Sequence, residues 1–183
     1  MNPLSAVALT VLAGACLLTA CTDHPTGSRP PDQNSCTRAG FGPPFTAVDP
    51  CSADSVTAAA LGTMFTYRPA EGLDPRRAFE AATPLLDPEF ARSGASAATV
   101  LAPVTPDMWD RWRDQHVTVT ATARATADDH PPDTASRAAR VVTVSMQPSD
   151  STPAPRLVVF AVAHRTPTGN GARWLLSKVQ VAS

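Results

Sequence analysis

The sequence predicts an α+β fold in which N-terminal helices pack on one face of a curved, four-stranded antiparallel sheet. In the first half of the folded region, apolar residues recur at three- and four-residue steps, which indicates helices. In the second half the period changes to two, which indicates strands with one buried face. Because the helical patterns all precede the strand patterns, helices and strands should form two layers over one core.

The first helix is expected to begin at Asp54, whose carboxylate can cap it. Its apolar stripe is a set of residues at helical spacing: Val56, Ala59, Ala60, Thr63, Met64 and Tyr67. The later helix starts share one form, an Asp or Thr at the cap and Pro as the first helical residue: Asp74-Pro75, Thr83-Pro84, Asp87-Pro88 and Thr105-Pro106. They predict short helices near 75–82 and 84–91, and a last helix that carries Trp109 and Trp112.

Four strand patterns follow, over residues 116–127, 140–147, 156–164 and 173–181. The first alternates Val or Ala with Thr, and the third is apolar on both faces. The segments between them are rich in turn-forming residues and too short for the crossover that parallel strands require. The sequence therefore predicts an antiparallel meander, and none of the four strands contains Asp or Glu.

An apolar run at residues 4–18 leads directly into Leu18-Thr19-Ala20-Cys21. The run is shorter than the ~20 residues of a membrane span and has the length of a signal-peptide core. The four closing residues resemble the lipobox of bacterial lipoproteins. That resemblance implies that residues 1–20 are removed, that Cys21 carries the lipid, and that the chain is extracytoplasmic and lipid-anchored to the cell membrane. The competing interpretation of Cys21 is a chance cysteine beside an uncleaved hydrophobic anchor.

The chain has four cysteines, which this interpretation divides into three groups. Cys16 leaves with the signal peptide, and Cys21 is acylated. The remaining thiols, Cys36 and Cys51, are expected to form a disulfide because exported chains are oxidised. Two free thiols are the alternative. A metal site is not expected, since neither cysteine has a second Cys or His at ligand spacing.

Residues 21–50 are rich in Pro, Gly, Ser and Asp, which is typical of a tether. The patch from Phe41 to Phe45 is expected to dock back onto the domain, with the disulfide holding it there. The α+β domain is then predicted to cover residues 51–183.

The closing strand, Gly171-Ala172-Arg173-Trp174-Leu175, together with the order of helices and strands, resembles the nuclear-transport-factor-2-like (cystatin-like) superfamily. Three further segments resemble uncharacterised conjugation- or Mce-associated lipoproteins of high-GC Gram-positive bacteria: 64–69, 84–86 and 109–112. The resemblance implies one of two roles. Some members are docking parts of envelope transport systems, and others enclose a pocket for isomerisation or dehydration. Fold alone does not choose between them.

The sequence offers few groups for catalysis. His116 and His164 are the only candidate bases on the strands, and both are expected at strand ends in solvent. Tyr67, Trp109 and Trp112 are interpreted as core residues, and Asp128-Asp129-His130 as a solvated loop rather than a metal site. No phosphate-binding loop, HExxH motif or nucleophile elbow occurs. We therefore predict no enzyme activity, no cofactor and no metal.

The net charge of −1 provides no electrostatic attraction for nucleic acid. The leading hypothesis is a non-catalytic surface lipoprotein that docks onto an envelope protein in a transport or conjugation assembly. The alternative is a small apolar ligand held between helices and sheet, where Ala121, Ala123 and Ala125 leave room. An isomerase or hydratase would need His116 or His164 inside a closed pocket.

Overall fold

The structure, a computed structural model, describes Cys36 and residues 39–102, 104–128, 130–169 and 171–182. The predictions for the signal peptide at residues 1–20, for Cys16 and for lipidation of Cys21 lie outside the described residues, as does most of the tether before residue 39. None of the helices in the described ranges is long and apolar enough to cross a membrane.

Helices occupy the first half of the described domain. The α-helices are α1 (Ala53–Met64), α2 (Pro75–Ala81), α3 (Pro88–Gly94), α4 (Ala98–Leu101) and α5 (Pro106–Asp114), with 3-10 turns at Pro69–Glu71 and Thr83–Leu85. Asp74 and Thr105 cap α2 and α5 as predicted, each accepting a hydrogen bond from the backbone N–H three residues on. The Pro at the next position starts the helix without losing a hydrogen bond.

Helix α1 differs from the prediction at both ends. Ser52, not Asp54, is its N-cap, because the Ser52 hydroxyl accepts from the Ser55 N–H while Asp54 already lies in the first turn. The buried stripe is also rotated and consists of Ala53, Val56, Thr57, Ala60, Leu61 and Met64. Tyr67 lies beyond the helix and pairs with Val119. The stripe rotates because α1 lies in the curl of the sheet and contacts all four strands.

The prediction of one helix over 84–91 is wrong, because two shorter helical segments occupy this region. Thr83–Leu85 is a 3-10 turn, Leu86 and Asp87 are extended, and α3 begins at Pro88. Proline disfavours the helical conformation of the residue before it, so Asp87 caps α3 instead of continuing an earlier helix. The extended segment is used in tertiary structure, since the Asp87 N–H donates to the carbonyl of Leu176 at 2.8 Å.

The second half of the domain is a curled, half-barrel sheet of four antiparallel strands in the order β1-β2-β3-β4. They are β1 (Val119–Ala125), β2 (Arg137–Pro148), β3 (Arg156–Thr168) and β4 (Gly171–Val181). The predicted α+β class and meander are thereby confirmed. Strand β1 is shorter than expected and the other three are longer, because pairing continues through the flanking turn residues.

The two faces of the sheet differ in what covers them. Val119, Val144, Val159 and Leu176 on the inner face are fully buried against the helices. On the outer face, Val158 and Phe160 are 43 % and 48 % exposed. Strand β3 is thus apolar on both faces, but only its inner face is buried in the core.

Cys36 and Cys51 lie at disulfide distance, with their Cα atoms 5.6 Å apart, which agrees with the expected pairing. The segment between them also packs on the domain, because Phe41 and Phe45 are buried in the core. The guanidinium of Arg173 lies 5.3 Å from the centre of the Phe41 ring.

Candidate functional site

The two candidate histidines are both exposed and lie in different places. His116 follows α5 with a positive φ of 53°. His164 lies on the outer face of β3, where it lines a polar cleft of about 410 Å³ with Arg137, Lys178 and residues of α3. His116 is not among the residues that line this cleft. The described structure therefore does not bring the two imidazoles together as an acid and base pair.

Tyr67 and Trp112 are buried in the core, in agreement with their interpretation as core residues. Trp109 is half-buried, and its ring meets that of Tyr67 edge to face, with the centroids 5.9 Å apart. Burial raises the pKa of the Tyr67 hydroxyl above its ordinary value. A phenol of this kind packs α5 onto the turn after α1 and does not titrate at physiological pH.

In the loop at Asp128-Asp129-His130, the described side chains make local turn contacts. Asp129 lies outside the described residues. The Asp128 carboxylate accepts from the Thr126 hydroxyl, and His130 Nδ1 lies 2.9 Å from the carbonyl oxygen of Pro131. Within the described residues, no three His, Cys, Asp or Glu side chains are grouped as metal ligands.

A cleft of about 840 Å³ lies between α1 and strand β1. Its walls consist of small side chains: Ala58, Ala59, Gly62 and Thr63 from α1, and Ala121 and Ala123 from β1. Phe45 and Leu73 add apolar surface, while Arg68 and Arg124 stand at its rim and are exposed. Small residues on both walls keep the helix and the strand from filling the space between them.

The cleft follows the edge of β1, which is paired at its start and open at Ala123. Tyr67 and Val119 exchange two backbone hydrogen bonds of 2.9 Å on the side of β1 away from β2. Because hydrogen-bonding direction alternates along a strand, Ala121 and Ala123 also point their N–H and C=O groups away from β2. The Ala121 N–H donates to the Thr66 hydroxyl at 3.1 Å. In the part of the chain that the structure describes, the outward groups of Ala123 make no hydrogen bond.

The lining of this cleft contains no carboxylate and no histidine. Its charged groups are the guanidinium groups of Arg68 and Arg124, which take no part in the described ion pairs. General acid–base chemistry needs a group that can give or take a proton near neutral pH, and these groups cannot. The arrangement is suited to binding, through backbone hydrogen bonds and apolar contact.

The sequence anticipated part of this site. Ala121 and Ala123 were expected to leave room, and the structure places both in the lining. The cleft opens beside the edge of β1, however, and not between the helices and the inner face of the sheet, which α1 covers. The missed signal is the run of small residues on the side of α1 opposite its apolar stripe.

No protein-family model, curated protein or solved structure matches this chain. The fold and the cleft therefore describe an α+β domain with a partly open strand edge on one side of its sheet.

Proposed function

We propose that this protein is a non-catalytic docking domain of an extracytoplasmic lipoprotein, anchored through lipid on Cys21, in an envelope transport or conjugation assembly. The observation that carries the docking role is the open edge of β1 along the cleft. The partner is an envelope protein that inserts an extended segment there.

An extended segment fits this cleft in two respects. Its backbone can pair with the outward N–H and C=O of Ala123, as peptides do when they add a strand to a sheet edge. Alternate side chains of the segment then meet either the small residues of α1 or solvent. Arg68 and Arg124 at the rim favour a segment with acidic residues.

The proposed location rests on sequence evidence that the described residues support indirectly. A lipobox-like end to an apolar run is what a lipoprotein signal requires. The pairing of Cys36 with Cys51 is consistent with an oxidising compartment outside the cytoplasm.

We further propose that the domain belongs to the nuclear-transport-factor-2-like superfamily. The support is its layout, in which a long first helix lies in the curl of an antiparallel meander and short Pro-capped helices follow that helix. The closing Gly-x-Arg-Trp-Leu strand at 171–175 is the sequence feature that agrees with this layout.

A small apolar ligand is the second candidate occupant of the same cleft. Its volume of about 840 Å³ lies within the range of small-molecule sites. The cleft reaches the surface along an exposed rim, and this geometry fits a chain segment better than an enclosed molecule.

Site-specific photocrosslinking in native envelopes tests the docking role. A photoreactive residue at Thr63 in the cleft should yield one discrete protein adduct, while the same residue at exposed Ala97 should not. Ala123→Pro removes the outward N–H without breaking a β1–β2 hydrogen bond, so it should abolish the adduct while leaving the melting temperature nearly unchanged.

Two results contradict the docking proposal. One is an adduct from Thr63 that persists in Ala123→Pro. The other is a small molecule that native mass spectrometry finds bound to the purified chain and that Ala59→Trp, which fills the cleft, displaces. The second result would establish the small-ligand function instead.

A further inference from the structure

We propose that the outer face of the sheet rests on a membrane surface rich in anionic lipid. The helices leave most of this face uncovered, apart from the start of α3 at one margin. Of the residues that carry the inference, Arg124 also stands at the rim of the cleft beside β1, and the others do not. The inference therefore does not depend on the docking role.

The centre of the outer face is an apolar ridge. Phe160 lies opposite Val141 in the β2–β3 register, and Val158 lies opposite Thr143. Val162 continues the ridge along β3 in the same alternation. Phe160 and Val158 are about half exposed, although they are large apolar side chains on β3, a central strand of the sheet. Exposed apolar side chains at the centre of a sheet indicate a surface that contacts another protein or a membrane.

Both ends of this ridge carry basic groups. Arg124 is paired with Thr143 in the β1–β2 register, and Arg156 starts β3, so both lie at the Val158 end. Lys178 pairs with Val162, and Arg137 pairs with His164, at the other end. The four strands contain no Asp or Glu, and none of these basic residues takes part in the described ion pairs.

Two acidic residues meet the face at its Val162 end. Asp87 and Glu89, from the start of α3, line the polar cleft beside Arg137, His164 and Lys178. Arg124 and Arg156 do not line this cleft, and neither makes a described hydrogen bond to Asp87 or Glu89. The face is therefore positively charged, most clearly at the Val158 end.

The positive charge of the face favours an anionic membrane over a second copy of this chain as its binding partner. A second copy of this chain would bring arginines against arginines across a symmetric interface, which is repulsive. The sheet also curls around α1, so its outer face is convex and the half-exposed side chains of Val158 and Phe160 project outward, away from the polar cleft beside Val162. A convex ridge of aliphatic and aromatic groups flanked by cations suits a deformable anionic layer, where the ridge enters the headgroups and the cations meet the phosphates.

Vesicle binding by the purified full chain tests this inference. Phosphatidylcholine vesicles with and without phosphatidylglycerol are compared, at low and high salt. The apolar run at residues 4–18 is common to every variant, so differences between variants report on the sheet face. We expect the chain to prefer the anionic vesicles and to lose that preference at high salt.

Two matched pairs of variants assign the effect. Arg124→Gln with Arg156→Gln should weaken binding to anionic vesicles by about 25-fold, at about fivefold for each cation, whereas Arg76→Gln with Arg77→Gln on α2 should not. Phe160→Ser should weaken binding about tenfold, whereas Val100→Ser, which removes an 85 % exposed side chain from α4, should have no effect. The three side chains replaced in the test variants are exposed, so the fold should persist, as circular dichroism can check.

Equal binding to both kinds of vesicle would overturn the proposal. So would equal effects of the sheet variants and their controls. An acidic protein whose binding is abolished by Arg156→Gln, while vesicle binding is unchanged, would also overturn it.

Discussion

Arg140 joins three parts of the chain that are far apart in sequence. Its Nε donates to Asp54 in the first turn of α1, and its two terminal nitrogens donate to both oxygens of Asp133, at 2.6 and 2.7 Å. The Arg140 side chain is only 12 % exposed. The hydrogen bond to Arg140 lowers the pKa of Asp133, and the same bond raises the pKa of Arg140. The guanidinium therefore ties the helix and the β1–β2 connection to the sheet.

Replacing Arg140 should destabilise the domain more than replacing either of its partners. Arg140→Gln removes the hydrogen bonds of a mostly buried cation and should lower the free energy of unfolding by about 1–3 kcal/mol in urea titrations. Asp133→Asn should cost less than about 1 kcal/mol, because the Asp133 side chain is 45 % exposed and solvent screens the pair. Glu80→Gln, an exposed carboxylate on α2, is the control.

The pH dependence of this pair has a definite sign. The folded pKa of Asp133 is lower than that of an ordinary aspartate, so its contribution is complete above about pH 4 and is lost as pH falls through the folded pKa. The stability gap between wild type and Asp133→Asn should therefore close in acid. A gap that stays constant down to pH values of about 2 would contradict this assignment.

Helices α2 and α3 pack through an aromatic contact that needs glycine. Phe79 and Phe90 meet edge to face with their centroids 5.4 Å apart, and Gly94 lies against the same rings. A Cβ at Gly94 would come within 3.0 Å of two atoms of the Phe79 ring. Since Phe79 is fully buried, its ring has no free space into which it can move.

Gly94→Ala should therefore lower stability, although alanine is the better helix former by about 1 kcal/mol. Overpacking should dominate and give a net loss of about 1–2 kcal/mol in thermal or urea unfolding. Gly62→Ala in α1 is the matched control, because its Cβ would lie 3.4 Å from the Ala121 carbonyl oxygen, an ordinary contact. That control should be neutral or more stable by up to about 1 kcal/mol. A change in the same direction for both variants would refute the packing argument.

The pairing of Cys36 with Cys51 extends the domain beyond its helices and strands. Between them, Phe41 and Phe45 enter the core, and the carbonyl of Pro50 accepts from the Trp174 N–H at 2.9 Å. Cys36 also lies beside Ala172, next to β4. The described residues of this segment, Cys36 and 39–51, thus form part of the folded unit, although the Pro-rich composition is typical of a linker.

Replacing both cysteines of this pair with serine should lower the free energy of unfolding by about 3 kcal/mol, since the bridge closes a loop of 15 residues. Guanidinium unfolding of the full chain measures the change. Reducing agent should have the same effect on wild type and none on the double variant. Wild type that is insensitive to reductant would show that the bond does not stabilise the domain in solution.

Local patterns were sufficient for the order of helices and strands. The caps at Asp74 and Thr105, the alternation in β1 and the meander all depend on residues within a few positions or on short connections. The same local view missed Ser52 as the cap of α1, because contacts with the sheet select between neighbouring caps. It also ran one helix over 84–91, although Asp87-Pro88 was itself a predicted helix start and does cap α3.

The sequence by itself determined the class of the fold, its helix starts, its strand period and the expected pairing of Cys36 with Cys51. Only the tertiary structure decided where a partner could bind. The cleft beside β1 depends on how far α1 stands from the strand edge, and the outer ridge depends on which face of β3 the helices leave uncovered. Both are set by long-range packing. The small residues of α1 and the two apolar faces of β3 are visible in the sequence, but which neighbours cover them is not.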